Sequence, residues 1–222
     1  MKKPLVLLFC ILSISFLVAA TKKETSKKEM PKKMLRSPWR PESAFGGGKV
    51  VMIIAKNEFR DEEYLQPKEI LTKSKVEVVT VSSSTGTAKG MLGAIVNVDI
   101  TINEVDAKNY DAVIFIGGGG ASEYFDNKQA HKIAVDTINN KKILAAICIA
   151  PVTLAKAGVL KGKKATVFPS GLGIDEIKKY GGTYTGKKVE VDGNIVTAYG
   201  PEAAKQFGEK ILELLNTNGG EK

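Results

Sequence analysis

The chain has 222 residues, with 33 Lys and Arg against 24 Asp and Glu, a formal net charge of +9 and 43% hydrophobic residues. That apolar share, with only two cysteines, excludes both a disordered polypeptide and a disulfide-stapled scaffold. The charge is lopsided: residues 1–20 carry Lys2 and Lys3, residues 21–48 carry eight Lys or Arg against three Glu, and the rest nets only +2. The basic excess therefore belongs to the N-terminal tail and gives no reason to expect a nucleic-acid partner for the domain.

Residues 1–20 read as an export signal: a basic start, an uncharged apolar run from Leu5 to Val18, and small residues at Val18-Ala19-Ala20 for cleavage. The run is short for a spanning helix, which needs about 20 apolar residues, so a retained membrane anchor is the alternative. Cys10 lies inside it as one more apolar residue, and Phe9 before it does not suit lipoprotein processing. Residues 21–48, rich in Lys, Ser, Pro and Gly and including Trp39, have no apolar period and read as a flexible basic linker able to touch an anionic membrane surface.

From Lys49 to residue 222 the pattern is that of a single α/β domain. Val50–Ala55 is a continuous apolar run, as in a strand buried on both faces. A loop from Lys56 leads to a helix over Glu63–Ser74, with Pro67 expected in its first turns. A strand follows over Val76–Ser82, then a small hairpin over Gly86–Val98. Tyr110–Ile116 is a further buried strand that empties into Gly117-Gly118-Gly119-Gly120, and Gln129–Asn139 is an amphipathic helix. Lys142–Ile147 runs as a strand into Cys148, with a helix over Val152–Gly158. The remainder reads as a strand over Ala165–Phe168, a helix over Ser170–Tyr180, an Asp-Gly hairpin over Val189–Thr197 and a closing helix over Glu202–Leu215. Alternating strands and helices imply a flavodoxin-like three-layer α/β sandwich with a mostly parallel central sheet, whose sites form beyond the carboxyl ends of the strands.

Ile143-Leu144-Ala145-Ala146-Ile147-Cys148-Ile149-Ala150-Pro151 has the form of a nucleophile elbow: an apolar strand, a cysteine, small neighbours for a tight bend, and a helix start. A sulfur there faces the positive end of the helix dipole, which favours the thiolate. Cys148 is the only cysteine once the signal is removed, so it has no internal disulfide partner. The glycine run lacks a Gly-Lys-Ser/Thr ending and GxGxxG spacing, which argues against nucleotide binding. Glu58, Asp61 and Glu62 read as a solvated acidic turn, since no His or second Cys joins them as a metal ligand. Lys161-Gly162-Lys163-Lys164 reads as a solvated turn, and Ser170-Gly171 is unspecified as a site wall. His131, the only histidine, reads as a water-facing residue outside every motif. No cofactor motif is visible.

The Glu63-Tyr64-Leu65-Gln66-Pro67 segment, the Asp111-Ala112-Val113-Ile114-Phe115-Ile116-Gly117-Gly118 strand and loop, and the Cys148 elbow together resemble the ThiJ/PfpI family of the class I glutamine-amidotransferase-like folds, in order from about Lys49 to Leu215. The resemblance implies Cys148 as nucleophile, Glu63 as a protonated carboxyl hydrogen-bonded to its thiolate, and the backbone N–H groups of Gly118 and Ile149 as oxyanion donors. It also implies a homo-oligomer of two or more copies. The chain departs from the family where members carry a His: Ile149 follows the cysteine, and Phe168 fills the slot before Pro169. Without a Cys–His pair, the resemblance implies a cysteine-dependent glyoxalase- or deglycase-like hydrolase acting on small reactive carbonyls or their adducts, with Glu63 moving the proton. A non-enzymatic redox sensor meeting an oxidant, with Cys148 oxidised to sulfinate, is the alternative, and a PfpI-type peptidase the third reading.

Overall fold

The computed structural model describes residues 48–218. The expected signal, Cys10, linker and Trp39 lie outside the described residues. Among the described residues no helix is long and apolar enough to cross a membrane.

The chain runs β1 (Lys49–Ile53), β2 (Asn57–Phe59), α1 (Asp61–Lys73), β3 (Glu77–Ser82), β4 (Gly86–Gly90), β5 (Ile95–Val98), β6 (Ile100–Thr101), β7 (Ala112–Phe115), α2 (Lys128–Asn139), β8 (Ile143–Ile147), α3 (Pro151–Lys156), β9 (Lys164–Ala165), α4 (Gly171–Lys179), β10 (Thr183–Tyr184), β11 (Val189–Asp192), β12 (Ile195–Ala198) and α5 (Ala204–Asn218). The central sheet has seven strands in the order β11-β12-β8-β7-β1-β3-β6. Every neighbouring pair is parallel except β11 with β12. This is the flavodoxin-like mixed α/β sandwich that the alternation of elements implies.

Alternate residues of each central strand serve opposite faces, as the two-residue period of a strand requires. Val50 and Met52 join Ile114, Ala145 and Val196 in a core closed by α1 and α5, through Tyr64, Leu71, Phe207 and Ile211. Val51 and Ile53 join Val113, Phe115, Leu144 and Ala146 in a second core closed by α2, α3 and α4, through Ile133, Val152, Leu154 and Ile177. Both faces are covered, which is why these strands read as unbroken apolar runs rather than alternating ones. The order reverses between β1 and β7, so the crevice of the sheet opens at their carboxyl ends.

Three expectations are corrected. The segment after β1 is not wholly loop: Asn57–Phe59 pairs in parallel with β4, and β4 with β5 completes a three-stranded sheet outside the main one. Helix α1 begins two residues earlier than expected, so Glu63 stands in its first turn, and Pro67 lies well inside it. The three acidic residues Asp61, Glu62 and Glu63 suit the positive helix end. The strand expected over Ala165–Phe168 is only Lys164–Ala165, paired with β10 in a separate two-stranded sheet. There the chain turns away because the Phe168 N–H bonds to the Cys148 carbonyl (2.7 Å) rather than to a strand.

Candidate active site

Three connections converge at the carboxyl ends of β1, β7 and β8. Cys148 follows β8 directly and holds φ at 61°, the left-handed region that non-glycine residues adopt at a cost of about 1–3 kcal/mol. The bend is over-determined by the backbone: the Cys148 N–H donates to the Ala198 carbonyl (2.9 Å), its carbonyl accepts from Phe168, and the Ala150 N–H closes on Ile147 (3.1 Å). Pro151 then starts α3 at a position where its missing N–H costs nothing. The sharp turn inferred from the small residues is therefore present, with the strain at the cysteine itself.

Glu63 is fully buried. Its Oε2 accepts the Gly117 N–H at 3.1 Å, and among the described residues its Oε1 has no geometrically formed hydrogen bond. The cysteine and the glutamate meet over Gly117. A Cβ on that residue would lie 2.5 Å from Cys148 Cβ and 2.7 Å from Glu63 Oε2, closer than real contacts come. Gly118, at φ 107°, presses on the chain after β1, where a Cβ would meet the Glu58 carbonyl oxygen at 2.3 Å. The glycine run is thus a site-forming spacer: Gly117 makes room for the Cys148 and Glu63 side chains, and the Gly118 amide acts on the sulfur.

Burial pushes Glu63 up to about 8; Cys148, the Gly117 amide and the Arg60 charge pull the other way without cancelling it. Burial also pushes the Cys148 thiol up, to about 12, reinforced by the negative charge Glu63 acquires when it ionises. The amides of Gly118 and Ile149 act in the opposite direction, favouring negative charge on Sγ. These are the two backbone groups expected to serve as oxyanion donors. Burial of the sulfur opposes the thiolate that the two amides favour. The half-buried sulfur sits just before the six-residue α3. Burial thus favours the protonated form of both groups.

The other sequence readings fall elsewhere. Asp61 is not part of a solvated turn: it is buried and accepts the Leu92 and Ala94 N–H groups, both at 2.8 Å. Glu62 holds Arg60 through Nε (2.8 Å) and Nη2 (3.1 Å). Among the described residues no group of three or more His, Cys, Asp or Glu is placed to hold a metal. His131 does not simply face water, since its half-buried ring puts Nε2 2.7 Å from the Phe125 carbonyl oxygen. Ser170 caps α4 through the Gly173 N–H (3.3 Å). Phe168 does stand beside the elbow, so the slot where the family carries a His is filled by an exposed aromatic ring. Two contributors escaped the sequence reading. Arg60 donates its N–H to the Gly117 carbonyl (3.0 Å), and Glu58 sits at φ 59° against the glycine run. Only the four consecutive glycines hinted that another segment presses there.

The model of the DJ-1/PfpI family matches residues 48–214. A protein of Methanocaldococcus jannaschii is 41% identical over 171 residues, covering 77% of this chain and 83% of the relative. A protein of Pyrococcus horikoshii named as a deglycase is 33% identical over 166 residues, covering 74% of this chain and 98% of the relative. Among solved structures, a ThiJ/PfpI domain protein from Brachyspira murdochii superposes with a TM-score of 0.74 at 31% identity, covering 77% of this chain and 98% of that one. The family model's match across residues 48–214, with a relative 41% identical over 171 residues, places this chain in the DJ-1/PfpI family.

Proposed function

We propose that the domain is a cysteine-dependent hydrolase of small reactive carbonyls or their adducts, with Cys148 as nucleophile and Glu63 as the group that moves the proton. One observation carries this reading: a strained cysteine and a buried carboxyl meet over a glycine whose Cβ position the two side chains occupy. The name deglycase borne by a relative at 33% identity supports the substrate class.

The chemistry follows for a 2-oxoaldehyde such as methylglyoxal. Ionised Glu63 takes the thiol proton as Sγ bonds to the aldehyde carbon, and passes it to the aldehyde oxygen. The Gly118 and Ile149 amides stabilise the negative charge on that oxygen, an effect of roughly 3 kcal/mol per donor in enzymes that use one. Carboxylate once more, Glu63 removes the hydrogen from the former aldehyde carbon and returns it to the neighbouring carbon, while the proton on the former aldehyde oxygen passes to the ketone oxygen across the enediol, leaving a 2-hydroxyacyl thioester on Cys148. Water then displaces the sulfur, the 2-hydroxy acid departs and the Cys148 thiol is regenerated. The net change is addition of one water, with no oxidant or reductant. A base is required because the thiol is held protonated, and the carboxylate supplies it where no histidine stands beside the sulfur.

Lactate release from methylglyoxal by the wild-type domain and by Cys148→Ala tests this. Turnover that disappears in the variant is the expected result. Absence of turnover in the wild type, with peroxide adding two oxygens at Cys148 by mass spectrometry, would replace the hydrolase with the redox sensor, whose sulfinate the same two amides would hold. We further propose that the mature domain is exported and self-associates; Leu65, Leu172 and Phe168 leave large apolar side chains exposed for such contacts.

A further inference from the structure

A recess adjoins the glycine run at Gly119. Its cavity, about 340 Å³, is lined by Asn57, Glu58, Lys89, Gly90 and Met91, where β2 and β4 pair side by side. Glu58 is the irregularity in that pairing: the register shifts between Asn57 and Phe59, and Glu58 takes the left-handed φ of 59°. A bulge of this kind re-aims a side chain, and its strain persists only where the surroundings impose it. Here it sets the carboxylate against the glycine run, with Glu58 Oε2 3.2 Å from where a Cβ on Gly119 would be. The opposite wall holds the same residue, since the Gly119 N–H donates to Met91 Sδ at 3.4 Å. Gly119 directly follows Gly118, whose amide acts on Cys148, so the recess and the sulfur share one loop.

The charges in the recess are one of each sign, and among the described residues neither has an ion-pair partner. A monoanion would satisfy Lys89 and oppose Glu58, and a polyanion would be repelled more strongly. A small molecule carrying both a carboxylate and an ammonium satisfies both. The volume sits at the lower end for ligand pockets, large enough for one amino acid and too small for a peptide.

We propose that this recess binds the zwitterionic head of a free α-amino acid, with Lys89 on its carboxylate, Glu58 on its ammonium and Met91 along its side chain. Resting on the hydrolase reading above, this makes the preferred adducts those of free amino acids rather than of protein side chains, whose amino and carboxyl groups are tied up in peptide bonds.

The test is binding of S-methylcysteine, an amino acid with no reactive group, followed by amide NMR on the intact domain. Titration should shift the amides of Asn57, Glu58, Lys89, Met91 and Gly119. It should do so equally in Cys148→Ala, so that loss of the hydrolase reading and loss of this one are told apart. 3-(Methylthio)propionate, which lacks the ammonium, and 2-(methylthio)ethylamine, which lacks the carboxylate, should each bind about fivefold more weakly, the scale of one partly solvated ion pair. Lys89→Gln and Glu58→Gln should each weaken S-methylcysteine by a similar factor, and each should remove the discrimination against the analogue lacking that variant's counterpart. Equal binding of the three probes, or shifts confined to other residues, overturns the proposal.

Discussion

Two buried carboxylates stand in the same turn of α1, two residues apart, and they have opposite fates. Asp61 faces the β4–β5 hairpin and is satisfied on both oxygens by the Leu92 and Ala94 amides, and Gly90 leaves it the space, since a Cβ there would lie 2.5 Å from Asp61 Oδ2. Glu63 faces the elbow, takes one amide and keeps Oε1 without a formed hydrogen bond. Burial is nearly the same, 5% exposed against 0%, so burial alone does not make a reactive acid. What separates them is the supply of donors. A carboxylate with two backbone N–H groups is a structural pin, whereas one short of donors holds its proton and can exchange it.

This contrast can be broken by substitution. The largest effect is expected from Glu63→Gln, which keeps the shape and an acceptor for Gly117 but removes the base. Its kcat/KM for methylglyoxal should fall by about 10²–10⁴, the usual worth of general acid–base catalysis, and the wild-type rise in kcat/KM through an apparent pKa of about 8 should vanish with it. A variant retaining wild-type turnover and pH profile would move the proton transfer to another group.

The same substitution sharpens the contrast in stability. Glu63 is held above its ordinary value of 4.5, to about 8, so the folded state binds more protons than the unfolded state across that interval. Wild-type stability should therefore be highest below about pH 4.5 as far as this group is concerned, and should decline as pH rises from there to about 8. Glu63→Gln carries no such titration and should gain on the wild type by a few kcal/mol, about 2–4, between pH 5 and 9 in urea unfolding. A constant difference across that range would show that the carboxyl is not held protonated.

Asp61→Asn should give the smaller effect and in the other direction. An amide presents one acceptor where two donors must be met, leaving a buried N–H facing its own NH₂. Stability at pH 7 should drop by about 2 kcal/mol, with kcat/KM changed less than tenfold. A loss of turnover as deep as that of Glu63→Gln, without the loss of stability, would erase the distinction between the two acids.

Much of this was legible along the chain. The apolar runs of β1, β7 and β8 announce strands covered on both faces, because such strands have no polar side to show. The elbow at Cys148 is written locally, in a strand, small residues and a proline within ten positions, and so was found at its place. The short β2 and the brevity of β9 were not legible. Asn57–Phe59 becomes a strand only because β4, nearly thirty residues later, offers it an edge, and residues 166–168 leave the strand path because Cys148 takes the Phe168 N–H.

The sequence by itself determined the layer architecture and put a cysteine at a tight bend, since both rest on hydrophobic period and on steric limits that act over a few neighbouring residues. The family resemblance named Glu63 as the partner of that cysteine, but only the tertiary structure decided the surroundings that bury it and push both groups toward their protonated forms. Those outcomes depend on how many N–H donors distant segments deliver to each oxygen and on how much water they exclude. Glu58, Asp61 and Glu62 read alike as one acidic turn in sequence; the fold leaves the first open to a recess, pins the second and pairs the third, while Glu63 is buried beside the sulfur.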